Sequence, residues 1–203
     1  MKHFFLFSWL KLFAMVLSAQ TYVSLDSARK AVQSKSPEER FRGLRSITRY
    51  YYTTGMFDSS EIAEKEMFSI AKELKRDSMM AIVYRAIGNR YVIKTDYNFS
   101  ILNYSRGLEY CSDDDKRKAG LYLNLAYVYI ITGNTQVAID YIQKGKALGQ
   151  SGESAYFENL LQAMIYNNLN KPDSALFYFR QAENLPIKSG DALLQTVFLL
   201  HFI

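Results

Sequence analysis

Apolar residues recur at intervals of three and four along the chain from residue 25 onward, which is the period of one face of an α-helix. No segment shows sustained alternation of apolar and polar residues, so the pattern predicts an all-α protein. Only three prolines occur in 203 residues, which leaves room for long helices. Turn and capping residues cut the pattern into short segments that follow one another in pairs.

The limits of these segments follow from local signals. Ser36 and Glu39 form a capping box around Pro37, which suits the first position of a helix. Asp96 is a good cap for another helix, and Ser112, followed by three aspartates at 113–115, places a cap and negative charge at the start of a third. We expect a lead-in helix within residues 20–36, helix pairs near residues 37–76, 77–111, 112–150 and 151–186, and one further helix in residues 187–203.

One phrase recurs along the chain. Residues 87–107 and 125–145 can be superposed with an offset of 38 residues, which aligns Tyr91 with Tyr129 and Gly107 with Gly145. The equivalent tyrosines outside this phrase are Tyr51, 40 residues before Tyr91, and Tyr166, 37 residues after Tyr129. A period of this size indicates stacked supersecondary units.

The helix pairs resemble tetratricopeptide repeats. The resemblance is carried by small residues, aromatic residues and glycines at matching positions of the pairs, for example Gly88, Tyr91, Ser100, Tyr104 and Gly107; Ala126, Tyr129, Gly133, Ala138 and Gly145; and Ala163, Tyr166, Ala175, Phe179 and Pro186. It implies an α-solenoid, a right-handed superhelix of about four helix pairs plus a truncated fifth, with a concave inner surface. Small residues are expected where helix backbones approach, and the tyrosines are expected to fill the space between repeats.

The N-terminus has the pattern of a secretory signal. A basic start is followed by an apolar stretch and by small residues at Ser18 and Ala19. We expect residues 1–19 to be a signal peptide cleaved near Ala19, which places the protein outside the cytoplasm, in the periplasm or beyond; a retained anchor and a first core helix are the alternatives. Removal of residues 1–19 leaves 23 basic and 20 acidic residues, a net charge of +3 that is spread along the chain. Nucleic acid is therefore not an expected partner.

The residue inventory argues against catalysis. The histidines are His3 and His201, and Cys111 is the only cysteine. This set offers no Cys–His pair and no cluster for a metal ion, so we expect neither catalytic residues nor a metal or other cofactor. The prediction is a protein without enzymatic activity.

The candidate binding residues lie on the first helices of the pairs, which line the concave surface in the family that this chain resembles. Arg42, Arg45, Arg49 and Tyr52 are spaced to share one side of a helix. Arg85 and Asn89 resemble the basic residue and asparagine with which some family members grip a partner's carboxylates. The alternative is a solvated arginine face that pairs with Glu38 or Glu39. The full predicted groove comprises Arg42, Arg45, Arg49, Tyr52, Arg85, Asn89, Tyr127 and Asn167.

Together these features predict a scaffold that binds a protein or peptide with an acidic portion. Signal-led arrays with repeats of this length resemble the extracytoplasmic sensor regions of some bacterial histidine kinases and related regulators, which implies an input or interaction role. Membrane attachment is expected only through the signal or through a missing C-terminal part. The alternative function is self-assembly into homo-oligomers through the apolar C-terminal helix, where residues 193–203 read LLQTVFLLHFI.

Overall fold

The computed structural model describes residues 25–112, 116–149 and 152–185. These residues form helices joined by short turns, with no strand among them, which confirms the predicted all-α class. The helices are α1 (residues 25–32), α2 (Pro37–Thr53), α3 (Phe57–Glu73), α4 (Asp77–Ile93), α5 (Tyr97–Glu109), α6 (Lys116–Ile131), α7 (Thr135–Ala147), α8 (Gly152–Asn168) and α9 (Pro172–Glu183). The predictions for the signal peptide, for Asp113–Asp115 and for residues 187–203 lie outside the described residues.

The chain divides into two compact units between Arg76 and Asp77. The first unit contains α1 to α3, and the second contains α4 to α9. In both units consecutive helices pack as pairs, as expected for a solenoid of tetratricopeptide type.

In the first unit, α1 lies directly against α2. A Cβ atom on Gly43 would lie 2.7 Å from the carbonyl oxygen of Ala28 and from the backbone nitrogen of Val32, so only glycine permits this approach. The predicted capping box is half formed, because Ser36 Oγ accepts a hydrogen bond from Glu39 N at 3.4 Å. The Ser36 amide donates instead to Ser34 Oγ at 3.1 Å, which leaves the Glu39 carboxylate to the Ser34 hydroxyl.

The second unit is built around α6, which packs against α4, α5, α7 and α8. Two buried clusters lie on its two sides. The first joins Leu121, Leu125 and Val128 to Tyr104 of α5, and the second joins α6 and α7 to Phe157, Leu161, Met164 and Ile165 of α8. Each helix pair therefore buries its apolar side against the next pair, which is the logic of a repeat array.

The repeated tyrosines stack within their own helix pairs. Tyr129 stacks on Tyr141 with ring centroids 5.6 Å apart, and Tyr166 stacks on Tyr178 at 5.3 Å. Tyr91 stacks in the same way on Phe99 of α5 at 5.2 Å. The prediction that these tyrosines fill the space between repeats is incomplete, because the stacking partner of each ring belongs to the same pair.

The turn inside each helix pair contains one residue in the left-handed backbone conformation. The φ angles at this position are +78° for Gly55, +59° for Thr95, +82° for Gly133 and +53° for Asn170. Glycine and asparagine tolerate this conformation, whereas it is uncommon for a β-branched residue such as threonine. The same turn geometry thus recurs four times with different side chains.

Candidate functional site

Polar side chains of α4 and α6 meet along the line where these two helices pack in the second unit. Arg85 and Asn89 are one turn apart on α4, and Gly120 and Asn124 are one turn apart on α6. A Cβ atom on Gly120 would lie 3.4 Å from Arg85 Nη1, so the guanidinium group extends across α6 at its glycine. Asn124 Nδ2 lies 3.5 Å from Asn89 Oδ1. We refer to these four residues as the α4–α6 polar site.

Asn89 is held from the side of α5. The Tyr104 hydroxyl donates a hydrogen bond of 2.7 Å to Asn89 Oδ1, and the Tyr104 side chain is only 2% exposed. The ring of Tyr104 lies over Gly88, where a Cβ atom would overlap its edge. A buried tyrosine thus supports the asparagine of the site from below.

Tyr127 follows Asn124 by one turn on α6 and is partly buried. Its ring centroid is 6.4 Å from that of Phe157 on α8. Desolvation by burial, with a smaller contribution from Tyr97, raises the pKa of the Tyr127 hydroxyl from 10.0 to about 12. Tyr127 is therefore neutral at physiological pH, and it adds an aromatic surface beside the polar site.

The polar site carries one positive charge. Among the residues that the structure describes, Arg85 forms no ion pair with a carboxylate. A guanidinium group offers donors in a planar fork and accepts no hydrogen bonds, so the chemistry that it lacks is a carboxylate or another oxyanion. The arrangement is suited to bind such a group rather than to catalyse a reaction on it.

The predicted arginine stripe of α2 has a different environment. Arg42 pairs with Glu39 at 3.8 Å, which is the solvated arrangement that we considered as the alternative. Arg45 is exposed and Arg49 is half-buried. Tyr52 is only 3% exposed, so its assignment to a binding surface is wrong. Residues ten positions apart differ by roughly 80° around an α-helix, which turns Tyr52 away from Arg42 and into the core.

The predicted groove residues are divided between the two units. The stripe of α2 belongs to the first unit, whereas Arg85, Asn89, Tyr127 and Asn167 belong to the second. Asn167 is exposed near the end of α8, where its carbonyl oxygen accepts a hydrogen bond from Asn170 N at 2.9 Å. Of the predicted set, the structure brings Arg85 and Asn89 together, with Tyr127 on the facing helix.

Sequence reasoning missed Gly120, Asn124 and Tyr104. It compared equivalent positions of the repeats, and the equivalent of Asn89 is Tyr127, three residues beyond Asn124. A usable signal was present, because Gly120 and Asn124 repeat the four-residue spacing of Arg85 and Asn89. Which residues face each other depends on the register of α4 against α6, and the repeat period does not contain that information.

Two further kinds of site were sought in the described part of the chain. None of its groups of histidine, cysteine, aspartate or glutamate side chains could hold a metal ion. None of its helices combines the length and the apolar character that a membrane span requires.

A comparison with family models identifies two segments of the chain. The tetratricopeptide repeat model matches residues 119–148 and residues 159–186. These segments correspond to the pair α6–α7 and to the pair α8–α9. No curated protein matches the chain. The matches support a protein of the tetratricopeptide repeat type, and such repeats generally mediate interactions between proteins.

Proposed function

We propose that this protein is a non-enzymatic interaction scaffold whose α4–α6 polar site binds a carboxylate in an acidic segment of a partner protein or peptide. The observation that carries the proposal is the position of Arg85 across Gly120, beside Asn89 and Asn124. The repeat matches support the general role in protein interaction.

The chemistry of the site favours a carboxylate over a neutral polar group. The arginine fork forms two parallel hydrogen bonds with a carboxylate, and hydrogen bonds that involve a charged group contribute about 1.5–3 kcal/mol. The ring of Tyr127, which lies near Phe157, offers apolar contact to a neighbouring side chain of the same peptide. One such site gives weak binding by itself, so an extended segment would add contacts along the unit.

The test uses two octapeptide libraries that are identical except that one carries glutamate where the other carries glutamine. We expect the wild-type protein to retain glutamate peptides, and Arg85→Ala to weaken their binding by about 10- to 100-fold, because the variant loses a charge-assisted hydrogen bond. Fluorescence anisotropy with the selected peptides measures the affinity. Arg180→Ala is the matched control, because Arg180 is an exposed arginine on α9.

The control variant should bind as the wild type does. Equal retention of glutamate and glutamine peptides by the wild-type protein would contradict the proposal, and so would unchanged binding by the folded Arg85→Ala variant.

We further propose that the protein is exported and that it forms the sensing or interaction part of a signalling system. Support comes from the N-terminal pattern of basic, apolar and small residues. The resemblance to extracytoplasmic sensor regions points to the same role. The partner of the polar site would then be met outside the cytoplasm.

Self-assembly is a second candidate function, and one observation favours it. Leu176 and Phe177 of α9 are 48% and 56% exposed, which is unusual for large apolar side chains. A second copy of the chain could cover this surface. The corresponding experiment belongs with the comparison of α9 to the other second helices, given in the Discussion.

A further inference from the structure

The pair α4–α5 differs from the other two pairs of its unit at two positions. Where α6 and α7 carry Ala126 and Ile142, and α8 and α9 carry Ala163 and Phe179, this pair carries glycine and tyrosine. Ala126 and Ile142 belong to one apolar cluster. The equivalent residues Gly88 and Tyr104 also contact each other, but they add a hydroxyl group to the contact.

The two differences depend on each other. The Tyr104 ring occupies the space in which a Cβ atom of residue 88 would lie, so an alanine there would collide with it. Because the ring lies over Gly88, its hydroxyl reaches the next residue, Asn89, at 2.7 Å. Neither isoleucine nor phenylalanine at position 104 could make this bond.

The hydrogen bond fixes which end of the Asn89 amide points toward Tyr104. Two donors, the Tyr104 hydroxyl and Asn124 Nδ2, approach the same oxygen, Oδ1. The nitrogen of the amide is thereby turned away from Tyr104. This nitrogen carries two hydrogens and can only donate, as can the guanidinium group of Arg85 one turn earlier.

We propose that Tyr104 is a positioning residue that sets the preference of the α4–α6 polar site for a carboxylate over a carboxamide. This inference rests on the proposed binding of an acidic segment. An Asn89 amide without the tyrosine hydroxyl can rotate and present its oxygen to the ligand. That oxygen repels a carboxylate but accepts a hydrogen bond from a carboxamide, so the preference would fall.

The experiment compares Tyr104→Phe with the wild-type protein, using the glutamate octapeptide that the wild type binds best and its glutamine counterpart. The ratio of the two affinities is the decisive quantity, because partial unfolding lowers both affinities equally and leaves their ratio unchanged. We expect the ratio to fall by about fivefold to tenfold, the loss of roughly one hydrogen bond's worth of discrimination. Tyr129→Phe removes a hydroxyl from a stacked ring of the same unit and should leave the ratio unchanged.

A second measurement needs no peptide. In the NMR spectrum of the free protein, the side-chain amide signals of Asn89 should shift in Tyr104→Phe and stay in place in Tyr129→Phe. Unmoved Asn89 signals, or an unchanged affinity ratio in Tyr104→Phe, would overturn the role of Tyr104. A wild-type protein that does not distinguish the two peptides would overturn the proposed function itself, while shifted Asn89 signals would still support the positioning of the amide.

Discussion

At the scale of single residues, two serines occupy equivalent positions of the repeat and differ in their hydrogen bonds. Ser60 of α3 and Ser100 of α5 are both fully buried. The Ser60 hydroxyl donates to Glu64 Oε1 at 3.0 Å, whereas the Ser100 hydroxyl has no partner in the structure as described. The later pairs carry Ala138 and Ala175 at this position. The position requires a small side chain, and a hydroxyl is useful there only where an acceptor is present.

This difference gives opposite expectations for the same substitution. Ser100→Ala should raise the free energy of unfolding by about 1 kcal/mol, because it removes a buried polar group that has no partner. Ser60→Ala should lower it by about 1–3 kcal/mol, because the buried Glu64 carboxylate loses a donor. Urea unfolding of both variants measures these changes. A destabilised Ser100→Ala variant would show that its hydroxyl has a bonding role.

The sequence predicts the size of these residues better than their bonds. Small side chains recur with the repeat at Ser60, Ser100, Ala138 and Ala175, so a close helix contact could be expected at each. Whether a hydroxyl finds an acceptor depends on one neighbouring side chain, Glu64 in the first case. The same limit applies to Asn89, whose support by Tyr104 follows from three-dimensional packing.

At the scale of elements, the second helices of the repeat differ in what covers them. Ile101 of α5 packs against the cluster that contains Leu121, and Ile139 of α7 packs against the cluster that contains Leu161. The equivalent residue of α9 is Leu176, which is exposed together with Phe177. The first helix of the following pair covers this position in α5 and α7. The surface of α9 has the same apolar character without that cover.

If a second copy covers this surface, the apparent mass of the protein should rise with concentration. The variant Leu176→Lys/Phe177→Lys should remain a monomer, because a charged side chain opposes burial of the surface. Size-exclusion chromatography with light scattering gives the mass directly. Val137→Lys on α7 is the control, since Val137 is also an exposed apolar residue. A wild-type protein that is monomeric at every concentration would exclude this mode of assembly.

The ends of most helices were predictable, and the exceptions have a local cause. Ser36 and Asp96 cap α2 and α5 as predicted, the latter by accepting a hydrogen bond from Phe99 N at 3.4 Å. Gly55 and Gly133 supply the left-handed residue of their turns. Thr95 takes the same conformation although its side chain disfavours it. The helices on both sides of the turn impose that conformation, and a residue preference cannot show this.

At the scale of the whole molecule, the repeat period made the fold predictable and left the binding site only partly so. An offset of 37 to 40 residues is visible in the tyrosine positions, and it defines helix pairs without any structural knowledge. The site depends on which side chains of adjacent helices meet. Arg85 and Asn89 could be selected by resemblance, but the division of the groove residues between two units could not be read from the period.

Export is a property of the whole chain, and the mass of the protein tests it. When the full-length chain is produced in a bacterium with an intact secretory pathway, we expect a periplasmic protein that lacks residues 1–19, because Ser18 and Ala19 provide a site for signal peptidase. Intact-mass spectrometry of the periplasmic and cytoplasmic fractions measures both points. Lys11→Glu, which places an acidic residue in the apolar stretch, should reduce export. A full-length protein that remains in the cytoplasmic fraction would refute the proposal.

The contact between Gly88 and Tyr104 also constrains the order in which mutations can accumulate. To convert this pair to the alanine and isoleucine of its neighbour, Tyr104 must change first, because alanine at 88 collides with the tyrosine ring. The path through isoleucine at 104 leaves only a cavity beside Gly88, which costs less than the collision. An ancestral repeat with alanine and isoleucine would have reached the present pair by losing its methyl group before it acquired the tyrosine. Interconversion of the two pairs is therefore a case of epistasis, in which one mutational order is open and the other is closed.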